Sequence, residues 1–380
     1  MVRQILKRFS TFAFVLSFSV FITTLTIVTR EHESVVARLV STGVEDESPS
    51  EDVRFVTETP EKTVFENIDL SSEVDCDEDC QTEIQRIRKD RIDEQCRALG
   101  MRQDNSQNYN STITRAFLKK LNHFLVLDKY KVIYCYIPKA GCTNWKRVML
   151  VLSGKAHSTD VIGQKETHVL TSKYIRSLDT YTTEQAQYRL EHYVKFTFVR
   201  DPFVRLLSAY RDKLEKHSNL NGAFRKEWGK KMKKLTDIFR KYRLRSMELN
   251  TTFHEYVEYL SDPRHNLLDA AEEHWIEMYR LSHPCAINYD FIGRVETLDR
   301  DTNYVLKNLL NVQSPRVFFR NSTNPTNSSG NGLIQRYFSD VPKKDIKALY
   351  ERYAPDFKLF GYEDPSDVIE CSCNKNVKKR

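Results

Sequence analysis

Glycine and proline are scarce in this chain of 380 residues, which has 11 of each. So few of either excludes a collagen-like or low-complexity protein. The G-x-x-x-x-G-K-[ST] motif of nucleoside triphosphatases is absent, and no internal repeat is visible. Cysteine pairs with metal-like spacing occur, but no histidine or further cysteine pair completes a zinc pattern. The length fits one large globular domain with a non-globular segment, or two modest domains.

The net charge of +7 is unevenly distributed. Residues 45–80 carry 14 acidic side chains against Arg54 and Lys62, whereas residues 81–380 carry a net +16. A basic domain favours a polyanionic partner, which could be nucleic acid, a membrane surface or an acidic polysaccharide. Many soluble domains carry such a charge without any partner, so charge alone leaves this open.

One long uncharged run is present, residues 10–29, and it is preceded by Arg3, Lys7 and Arg8. A membrane-crossing helix needs roughly 20 such residues, and positive charge before it holds that end in the cytosol. The run therefore predicts a transmembrane signal-anchor after a cytoplasmic tail, residues 1–9. A cleaved signal peptide is the alternative, but it needs a shorter apolar region and a small-x-small cleavage site.

Two further features agree with a lumenal body. Four glycosylation sequons follow the anchor, at Asn110, Asn250, Asn321 and Asn327. Eight cysteines in an oxidising lumen indicate some disulfides, whose pairing the sequence does not give. For the closely spaced pairs Cys76/Cys80 and Cys371/Cys373 we favour disulfides or free thiols over metal ligation.

The rest of the chain divides into three parts. Residues 30–95 are predicted to be a stalk, since residues 30–80 are acidic, rich in Ser, Thr, Glu and Asp, and poor in periodic apolar positions. Residues 81–98, within and beyond it, could form a charged helix. A globular domain follows over residues 96–365, and a short tail over residues 366–380. From about Phe117 to Tyr362, β-rich runs alternate with helical patterns, which is typical of an α/β domain with a mainly parallel sheet.

The first strand-to-helix unit has the features of a phosphate site. A buried strand, Val132–Ile137, leads through a loop to a helix carrying the apolar residues Trp145, Val148, Met149 and Leu152 and ending at Gly154. Backbone N–H groups and the helix dipole converge in that loop. Gly141 permits close approach and Lys139 adds charge. The alternative is an ordinary turn with a surface lysine.

The second unit places an arginine at the carboxyl end of a strand, where open α/β sheets bind ligands. Arg200 follows the strand Val194–Val199, Asp201 caps the next helix and Pro202 opens it. Arginine can grip a phosphate with two parallel hydrogen bonds, and Ser208 lies off the apolar stripe on a face free to meet a ligand. The alternative is a capped amphipathic helix with an Arg205–Asp201 surface salt bridge.

Later segments complete the pattern. A third strand is predicted over Ile287–Ile292 with Gly293, and a helix opens at Thr297. A basic region from Arg225 to Arg245 could line a groove for a polyanion or could be a solvated helix. Residues 313–335 are predicted to form a glycosylated surface loop. A last helix, Lys343–Tyr353, is predicted to precede a hydrophobic tail.

Five motifs in fixed order carry a family resemblance. They are Pro138-Lys-Ala-Gly-Cys-Thr-Asn-Trp-Lys146, Arg200-Asp-Pro-Phe-Val-Arg-Leu-Leu-Ser208, Glu273-His-Trp275, His283-Pro-Cys285, and Tyr289-Asp-Phe-Ile-Gly293 with Glu296-Thr-Leu298. From roughly Cys96 to Tyr362 the chain resembles the membrane-bound carbohydrate sulfotransferases. The resemblance is closest to the chondroitin/dermatan N-acetylgalactosamine 4-O-sulfotransferase family, and it implies the P-loop-like sulfotransferase fold.

The resemblance implies 3′-phosphoadenylyl sulfate (PAPS) as the sulfo donor, with no metal. Its first segment would surround the 5′-phosphosulfate, through Pro138, Lys139, Ala140, Gly141, Cys142, Thr143 and Asn144. Its second would hold the 3′-phosphate, chiefly by Arg200 and Ser208, within Arg200, Asp201, Pro202, Phe203, Val204, Arg205, Leu206, Leu207 and Ser208. Lys139 would lie near the bridging oxygen and stabilise charge on the departing phosphate.

In-line transfer to a hydroxyl also needs a base. His168 and the pair Glu273 and His274 have suitable chemistry and lie in segments that match family elements; each could equally be a structural hydrogen-bonding residue. Two departures stand out. Ser282 replaces a cysteine that the family often has before His-Pro-Cys285, and Glu272 replaces an asparagine before Glu-His-Trp.

The resemblance further implies a Golgi membrane enzyme with a lumenal catalytic domain, a glycan acceptor and no nucleic-acid partner. Position 4 of N-acetylgalactosamine in chondroitin is the expected acceptor. Dermatan, N-acetylgalactosamine on N-glycans and O3 of glucuronic acid remain alternatives. A non-catalytic glycan-binding protein is a second class of function, and a kinase is a third, although its phosphate-loop lysine pattern is missing.

Overall fold

A computed structural model describes residues 76–102, 113–215, 222–235, 251–263, 272–312, 314, 317 and 332–371. All of them belong to one compact unit, Asn67–Arg380. The predicted tail, anchor and most of the stalk, residues 1–75, lie outside the described residues, as do the sequons Asn110, Asn250, Asn321 and Asn327. None of the helices in the described ranges is long and apolar enough to cross a membrane.

A five-stranded sheet forms the centre of the domain, in the order β3-β1-β2-β4-β5. Its strands are β1 Phe124–Leu127, β2 Val132–Cys135, β3 Arg176–Ser177, β4 Val194–Val199 and β5 Phe291–Arg294. β2, β4 and β5 pair in parallel, whereas β1 is antiparallel to both its neighbours. The α/β class is therefore confirmed, with a mixed sheet in which β1 is reversed.

The third predicted strand is displaced. The prediction Ile287–Ile292 is wrong in its bounds, because β5 begins at Phe291. Before it, the Asp290 carboxylate accepts from the Lys195 N–H at 2.7 Å, while the Asp290 N–H donates to the Lys195 carbonyl at 2.8 Å. Ile287 and Tyr289, which precede Asp290, are buried in the core without being part of the ladder.

Helices cover the sheet and extend the domain beyond it. In the described ranges they are α1 Glu78–Ala98, α2 Arg115–Leu118, α3 Cys142–Leu152, α4 Gln164–Tyr174, α5 Thr183–His192, α6 Pro202–Lys213, α7 Gly222–Leu235, α8 Phe253–Ser261, α9 Met278–Ser282, α10 Leu298–Tyr304, α11 Leu333–Phe338, α12 Lys343–Phe360 and α13 Ser366–Cys371. A π-helical turn, Val305–Leu309, continues α10. α3 follows β2 and α6 follows β4, as the two strand-to-helix units predict.

Helix α1 belongs to the domain, so the predicted stalk boundary at residue 95 is too late. Ile84 is fully buried. Gln85 exchanges hydrogen bonds with the backbone of Ile292 on the edge strand β5, with its Oε1 2.8 Å from the Ile292 nitrogen. Arg88 is buried and donates to Asp301 Oδ2 at 2.8 Å and to the Ile292 carbonyl at 2.6 Å. Polar side chains face inward here because the sheet edge offers unpaired backbone groups.

The C-terminal part also differs from expectation. The last predicted helix, Lys343–Tyr353, is longer and runs as α12 to Phe360, so its hydrophobic tail is helical. The predicted loop over residues 313–335 gives way to α11 at Leu333. Residues 366–371 of the predicted tail form α13, whose Val368 packs into the core beside α11 and α12.

Two disulfides join described cysteines. Cys76 bonds to Cys80 at the start of α1, and Cys96 at its end bonds to Cys285. Cys135 and Cys142 are free thiols. The second disulfide gives Cys285 a partner on α1, although Ser282 stands where the family often has a cysteine.

Candidate active site

The two predicted donor segments meet at the carboxyl edge of the sheet. β2 and β4 are adjacent and parallel, with Cys135 opposite Thr197. The loops after them consequently leave the sheet side by side. Arg200, at the end of β4, donates through Nη1 to the backbone carbonyl of Lys139 at 3.2 Å. Residues 61 positions apart in sequence are thereby in contact.

The loop from Pro138 to Asn144 is shaped as an anion-binding turn. Lys139 and Gly141 both have left-handed backbone conformations, with φ of 71° and 79°. Gly141 is the N-cap of α3 and makes no side-chain capping bond. The first N–H groups of a helix have no acceptor within it, and the helix dipole adds partial positive charge there. α3 begins at Cys142, earlier than predicted, so Cys142, Thr143 and Asn144 form its first turn.

Not every predicted donor residue offers its side chain to the loop. Ala140 is fully buried. The side-chain oxygen of Asn144 accepts from Arg147 Nη1 at 2.8 Å, and Arg147 also donates to the Ile162 carbonyl. The N-terminal turn of α3 is therefore tied to the segment before α4.

Arg205 is a buried connector and not a surface ion-pair partner. Its guanidinium donates to three backbone carbonyls, those of Pro138 at 2.9 Å, Ile276 at 2.8 Å and Glu273 at 3.0 Å. The alternative of an Arg205–Asp201 surface salt bridge is thus wrong, because the side chain is 1% exposed and points inward. A single residue of the second segment holds the first segment against the Glu273 segment.

The rest of the second segment is mostly core. Asp201 caps α6 by accepting from the Val204 N–H, and Pro202 opens the helix, as predicted. Burial, opposed by those backbone bonds, raises the pKa of Asp201 to about 6. Pro202, Phe203, Leu206 and Leu207 are buried, and Val204 is partly exposed. Ser208 is only 2% exposed, so the open face that the sequence predicts for it is wrong.

The side chain of Lys139 forms an ion pair with a carboxylate. Its Nζ lies 3.2 Å from Oδ2 of Asp212, near the end of α6, and Nζ of Lys213 lies 3.5 Å from the same oxygen. Burial lowers the pKa of Lys139, and the charge of Asp212 opposes that change. Burial alone would raise the pKa of Asp212, but the charges of Lys139 and Lys213 lower it below its usual range.

Glu273 is held by two residues at the carboxyl end of β2: Tyr136, which follows β2, and His123, which precedes the antiparallel β1. His123 Nε2 lies 3.0 Å from Glu273 Oε2, and the Tyr136 hydroxyl donates to the same oxygen at 3.3 Å. His123 is 6% exposed, whereas the Glu273 side chain is 39% exposed. Burial, followed by the positive charge of Lys146, lowers the pKa of His123 to about 3. Nζ of Lys146 also lies 3.6 Å from the centroid of the Tyr136 ring.

The other two predicted catalytic residues lie in the same electrostatic neighbourhood. Burial first, then the charges of Lys146, Lys213 and His274, lowers the pKa of His168 on α4 to about 4. His274 Nδ1 is hydrogen-bonded to the Glu272 carboxylate. The positive groups that act on His168 thus come from α3, α6 and the Glu273 segment, so His168 lies near Lys146, Lys213 and His274.

The basic region predicted after α6 is described in part, as α7, and α7 borders this region. The ring of Phe224 on α7 lies 6.0 Å from that of His274, and Nζ of Lys213 lies 5.7 Å from the Phe224 ring. Lys226 and Lys230 on α7 are exposed. Residues 236–245 of the predicted basic region lie outside the described residues.

Sequence reasoning missed four residues of the site: His123, Tyr136, Lys146 and Asp212. Lys146 is the last residue of the first motif and Tyr136 lies two residues before it, so their positions were a usable signal. His123 and Asp212 carry no local signal, because their partners Glu273 and Lys139 are 150 and 73 residues away in sequence. Within the described ranges, no group of three or more His, Cys, Asp or Glu side chains is placed to hold a metal ion.

Fold and site together define an α/β domain in which a left-handed turn before α3 and several basic groups converge at one sheet edge. The sulfotransferase family model matches residues 122–363, and the chain belongs to that family. Membership implies PAPS as the sulfo donor. No solved structure matches the chain.

The similar proteins within this family are carbohydrate sulfotransferases. The chain is 35% identical to carbohydrate sulfotransferase 11 of Rattus norvegicus over 74% of this chain and 77% of that protein. It is 37% identical to carbohydrate sulfotransferase 12 of Mus musculus, covering 66% and 62%, and 34% identical to carbohydrate sulfotransferase 10 of Homo sapiens, covering 70% and 74%. The resemblance to carbohydrate sulfotransferases is therefore confirmed.

Proposed function

We propose that this chain transfers the sulfo group of PAPS to a hydroxyl of an acidic glycan, with position 4 of N-acetylgalactosamine in chondroitin as the first choice. The observation that carries the proposal is the contact between the two donor segments, Arg200 Nη1 to the Lys139 carbonyl at 3.2 Å. A nucleotide with phosphates at both its 3′ and 5′ positions can be gripped at both ends only if these segments are neighbours.

The residues present fit such a donor. The uncapped N-terminus of α3 and the left-handed turn at Gly141 suit the 5′-phosphosulfate. Arg200 would bind the 3′-phosphate together with Ser208, the second residue that the resemblance assigns to that group. The donor supplies an activated sulfo group; the protein supplies position and charge.

Lys139 would stabilise the negative charge that develops on the phosphate as the sulfur–oxygen bond breaks. Its ion pair with Asp212 favours the protonated ammonium and opposes the lowering of the pKa of Lys139 by burial. A compact cation beside a developing oxyanion stabilises the transition state more than the ground state, which is the requirement for catalysis.

Three side chains are candidates for the base that accepts the proton of the acceptor hydroxyl. His168 is neutral at physiological pH, but its low pKa makes it a weak base. His274 is engaged with Glu272. Glu273 retains an exposed carboxylate beside the donor loop, so it suits the role best.

The acceptor is proposed to lie across the basic groups that converge on this region. Lys146, Lys213 and the exposed lysines of α7 provide positive charge for a chain of uronic acids or sulfated sugars. Chondroitin is favoured because the sequence motifs resemble the N-acetylgalactosamine 4-O-sulfotransferases. Dermatan, N-glycan N-acetylgalactosamine and O3 of glucuronic acid are the alternatives that the assay below separates.

We further propose that the protein acts in the Golgi, anchored by residues 10–29 with the domain in the lumen. The support is the uncharged run with positive residues before it, together with the four sequons. Glycosylation at Asn110, Asn250, Asn321 and Asn327 is part of this proposal, and sensitivity of the full chain to a glycosidase would test it.

The experiment is incorporation of labelled sulfate by the purified full-length chain. It is incubated with labelled PAPS and separate desulfated chondroitin, dermatan and N-glycan acceptors, and the products are cleaved to disaccharides to map the sulfated position. We expect label at position 4 of N-acetylgalactosamine. Binding of a glycan without any incorporation would favour the alternative of a non-catalytic glycan-binding protein.

A further inference from the structure

The base needs a defined orientation, and two residues outside the sequence motifs provide it. We propose that His123 and Tyr136 are positioning residues that fix one carboxylate oxygen of Glu273, so that the other oxygen receives the proton of the acceptor hydroxyl. This inference rests on the proposed function and deepens it. The sequence motifs of the donor site assign no role to either residue.

The geometry separates the two oxygens of the Glu273 carboxylate. Oε2 takes both contacts, from His123 Nε2 at 3.0 Å and from the Tyr136 hydroxyl at 3.3 Å. Within the described part of the chain Oε1 makes no hydrogen bond. The side chain is 39% exposed, so a ligand can reach the second oxygen.

The protonation of His123 follows from its surroundings. Burial and neighbouring positive charge keep the imidazole neutral, so it holds one proton. An ionised carboxylate only accepts hydrogen bonds, so Nε2 must carry that proton. Nδ1 is buried and has no hydrogen-bond partner in the described ranges. A bare Nδ1 lone pair is consistent with this tautomer, whereas an N–H at that position would be an unsatisfied buried donor.

The carboxylate is also located relative to the donor loop. Arg205 donates to the carbonyls of both Pro138 and Glu273, so the guanidinium connects the start of the loop to the backbone of the base. Tyr136 lies two residues before Pro138 and its N–H donates to the His123 carbonyl at 2.9 Å. The hydrogen bonds to Oε2 therefore come from residues that are themselves fixed to the sheet edge beside the donor site.

The proposed step transfers one proton and one sulfo group. The acceptor O–H bond breaks and its proton moves to Oε1 of Glu273, while the hydroxyl oxygen forms a bond to sulfur. The bond from sulfur to the bridging phosphate oxygen breaks, and its electron pair leaves on the phosphate, next to Lys139. His123 stays neutral throughout, so it orients the carboxylate and takes no proton.

The test uses the full-length chain and three variants, Glu273→Gln, His123→Phe and Tyr136→Phe. Matched controls are Glu94→Gln, His157→Phe and Tyr188→Phe, which change exposed residues away from the site. Measurements are kcat and the KM for PAPS with a desulfated chondroitin acceptor, the affinity for adenosine 3′,5′-bisphosphate, and the dependence of kcat on pH. The bisphosphate affinity reports an intact donor site in every variant.

We expect Glu273→Gln to lower kcat by roughly 10²- to 10⁴-fold, the usual contribution of a general base, with bisphosphate affinity retained. His123→Phe and Tyr136→Phe should each lower kcat by about tenfold without raising the KM for PAPS, because only the orientation of the base changes. Both should also move the acidic limb of the kcat profile to higher pH, since lost donors no longer stabilise the ionised carboxylate.

That pH shift separates positioning from a merely structural role. The charged and titratable groups that act on His123 and Tyr136, besides Glu273 itself, are Lys146, Arg205, His283, Cys142 and Cys135, and the variants leave all of them in place. In the Glu273→Gln background, the two substitutions should cause no further loss of kcat, because they act through the carboxylate.

Several results would overturn the inference. One is a Glu273→Gln variant with kcat near that of the wild type; another is an unmoved acidic limb in Tyr136→Phe, or losses that add to that of Glu273→Gln. Should His123→Phe fail to fold, Tyr136→Phe carries the same test, because it removes only a hydroxyl. A wild-type chain that neither binds the bisphosphate nor incorporates sulfate would instead overturn the proposed function.

Discussion

The ammonium of Lys139 and the carboxylate of Asp212 form an ion pair, with 3.2 Å between Nζ and Oδ2. The loop lysine is thereby held by the far end of the helix that Arg200 and Asp201 begin. Burial lowers the pKa of Lys139, and Asp212 is the largest influence in the other direction. The charge state of Lys139, for which we propose a catalytic role, thus depends on a residue that no motif contains.

Replacing Asp212 should change the alkaline side of the activity profile. In Asp212→Asn the charge that keeps Lys139 protonated is gone, so Lys139 loses its proton at lower pH. We expect the alkaline limb of kcat to move to lower pH, with activity at neutral pH reduced less. Asp90→Asn, an exposed change on α1, is the matched control. An alkaline limb at its wild-type position would contradict this role.

Replacing Arg200 with lysine should remove recognition of the 3′-phosphate selectively. Arg200→Lys keeps the charge but loses the planar fork that binds a phosphate through two hydrogen bonds. We expect the affinity for adenosine 3′,5′-bisphosphate to fall by roughly 1.5–3 kcal/mol, the usual worth of a hydrogen bond to a charged group. Affinity for adenosine 5′-monophosphate should be unchanged. Calorimetric titration of both nucleotides, with Arg86→Lys as control, checks this; equal losses for both would refute it.

Acid should destabilise the fold in part through His168. Burial lowers its pKa to about 4 from the usual 6.5, so between these values the unfolded chain binds a proton that the folded chain does not. The free energy of unfolding therefore falls as pH decreases from 6.5 toward 4. In His168→Gln this decrease should be smaller than in the wild type. Urea unfolding across that range measures it, and an identical pH dependence in both proteins would exclude the effect; His157→Gln is the exposed control.

The disulfide Cys96–Cys285 should matter more for stability than Cys76–Cys80. It joins residues 189 positions apart, whereas the other joins residues 4 apart. A cross-link that closes a longer loop removes more entropy from the unfolded chain. We expect the double change Cys96→Ser and Cys285→Ser to cost roughly 2–5 kcal/mol of unfolding free energy. Cys76→Ser with Cys80→Ser is the control, and an equal cost in both variants would argue against loop entropy as the cause.

The two loops that we propose to bind the donor could be located from sequence because their signals are local. An apolar strand, a glycine turn and an amphipathic helix follow one another around Lys139 within about 20 residues. An aspartate cap and a proline mark the helix after Arg200 in the same way. Adjacent parallel strands then bring the two loops together, which topology alone explains.

The remaining features depend on contacts between distant residues. Arg205 looks like a surface residue in the helical pattern, yet it binds three carbonyls from two other segments. In the sequence, His123 is simply a histidine that precedes a strand. Its contact with Glu273 becomes visible only in the folded structure. Helix α1 has the composition of a solvated helix, because the residues it buries include Gln81, Gln85 and Arg88. A hydrophobic pattern cannot report polar side chains that pair with backbone groups.

The hydrogen bonds from Gln85 and Arg88 to Ile292 have a practical consequence for anyone producing a secreted form of the protein. A fragment that starts at residue 96, where composition suggests that the domain starts, would lack α1. The free edge of β5 could then pair with another molecule. Asp301 would also lose its main counterion, Arg88. Such a fragment should aggregate, while one starting at Cys76 or earlier should remain monodisperse.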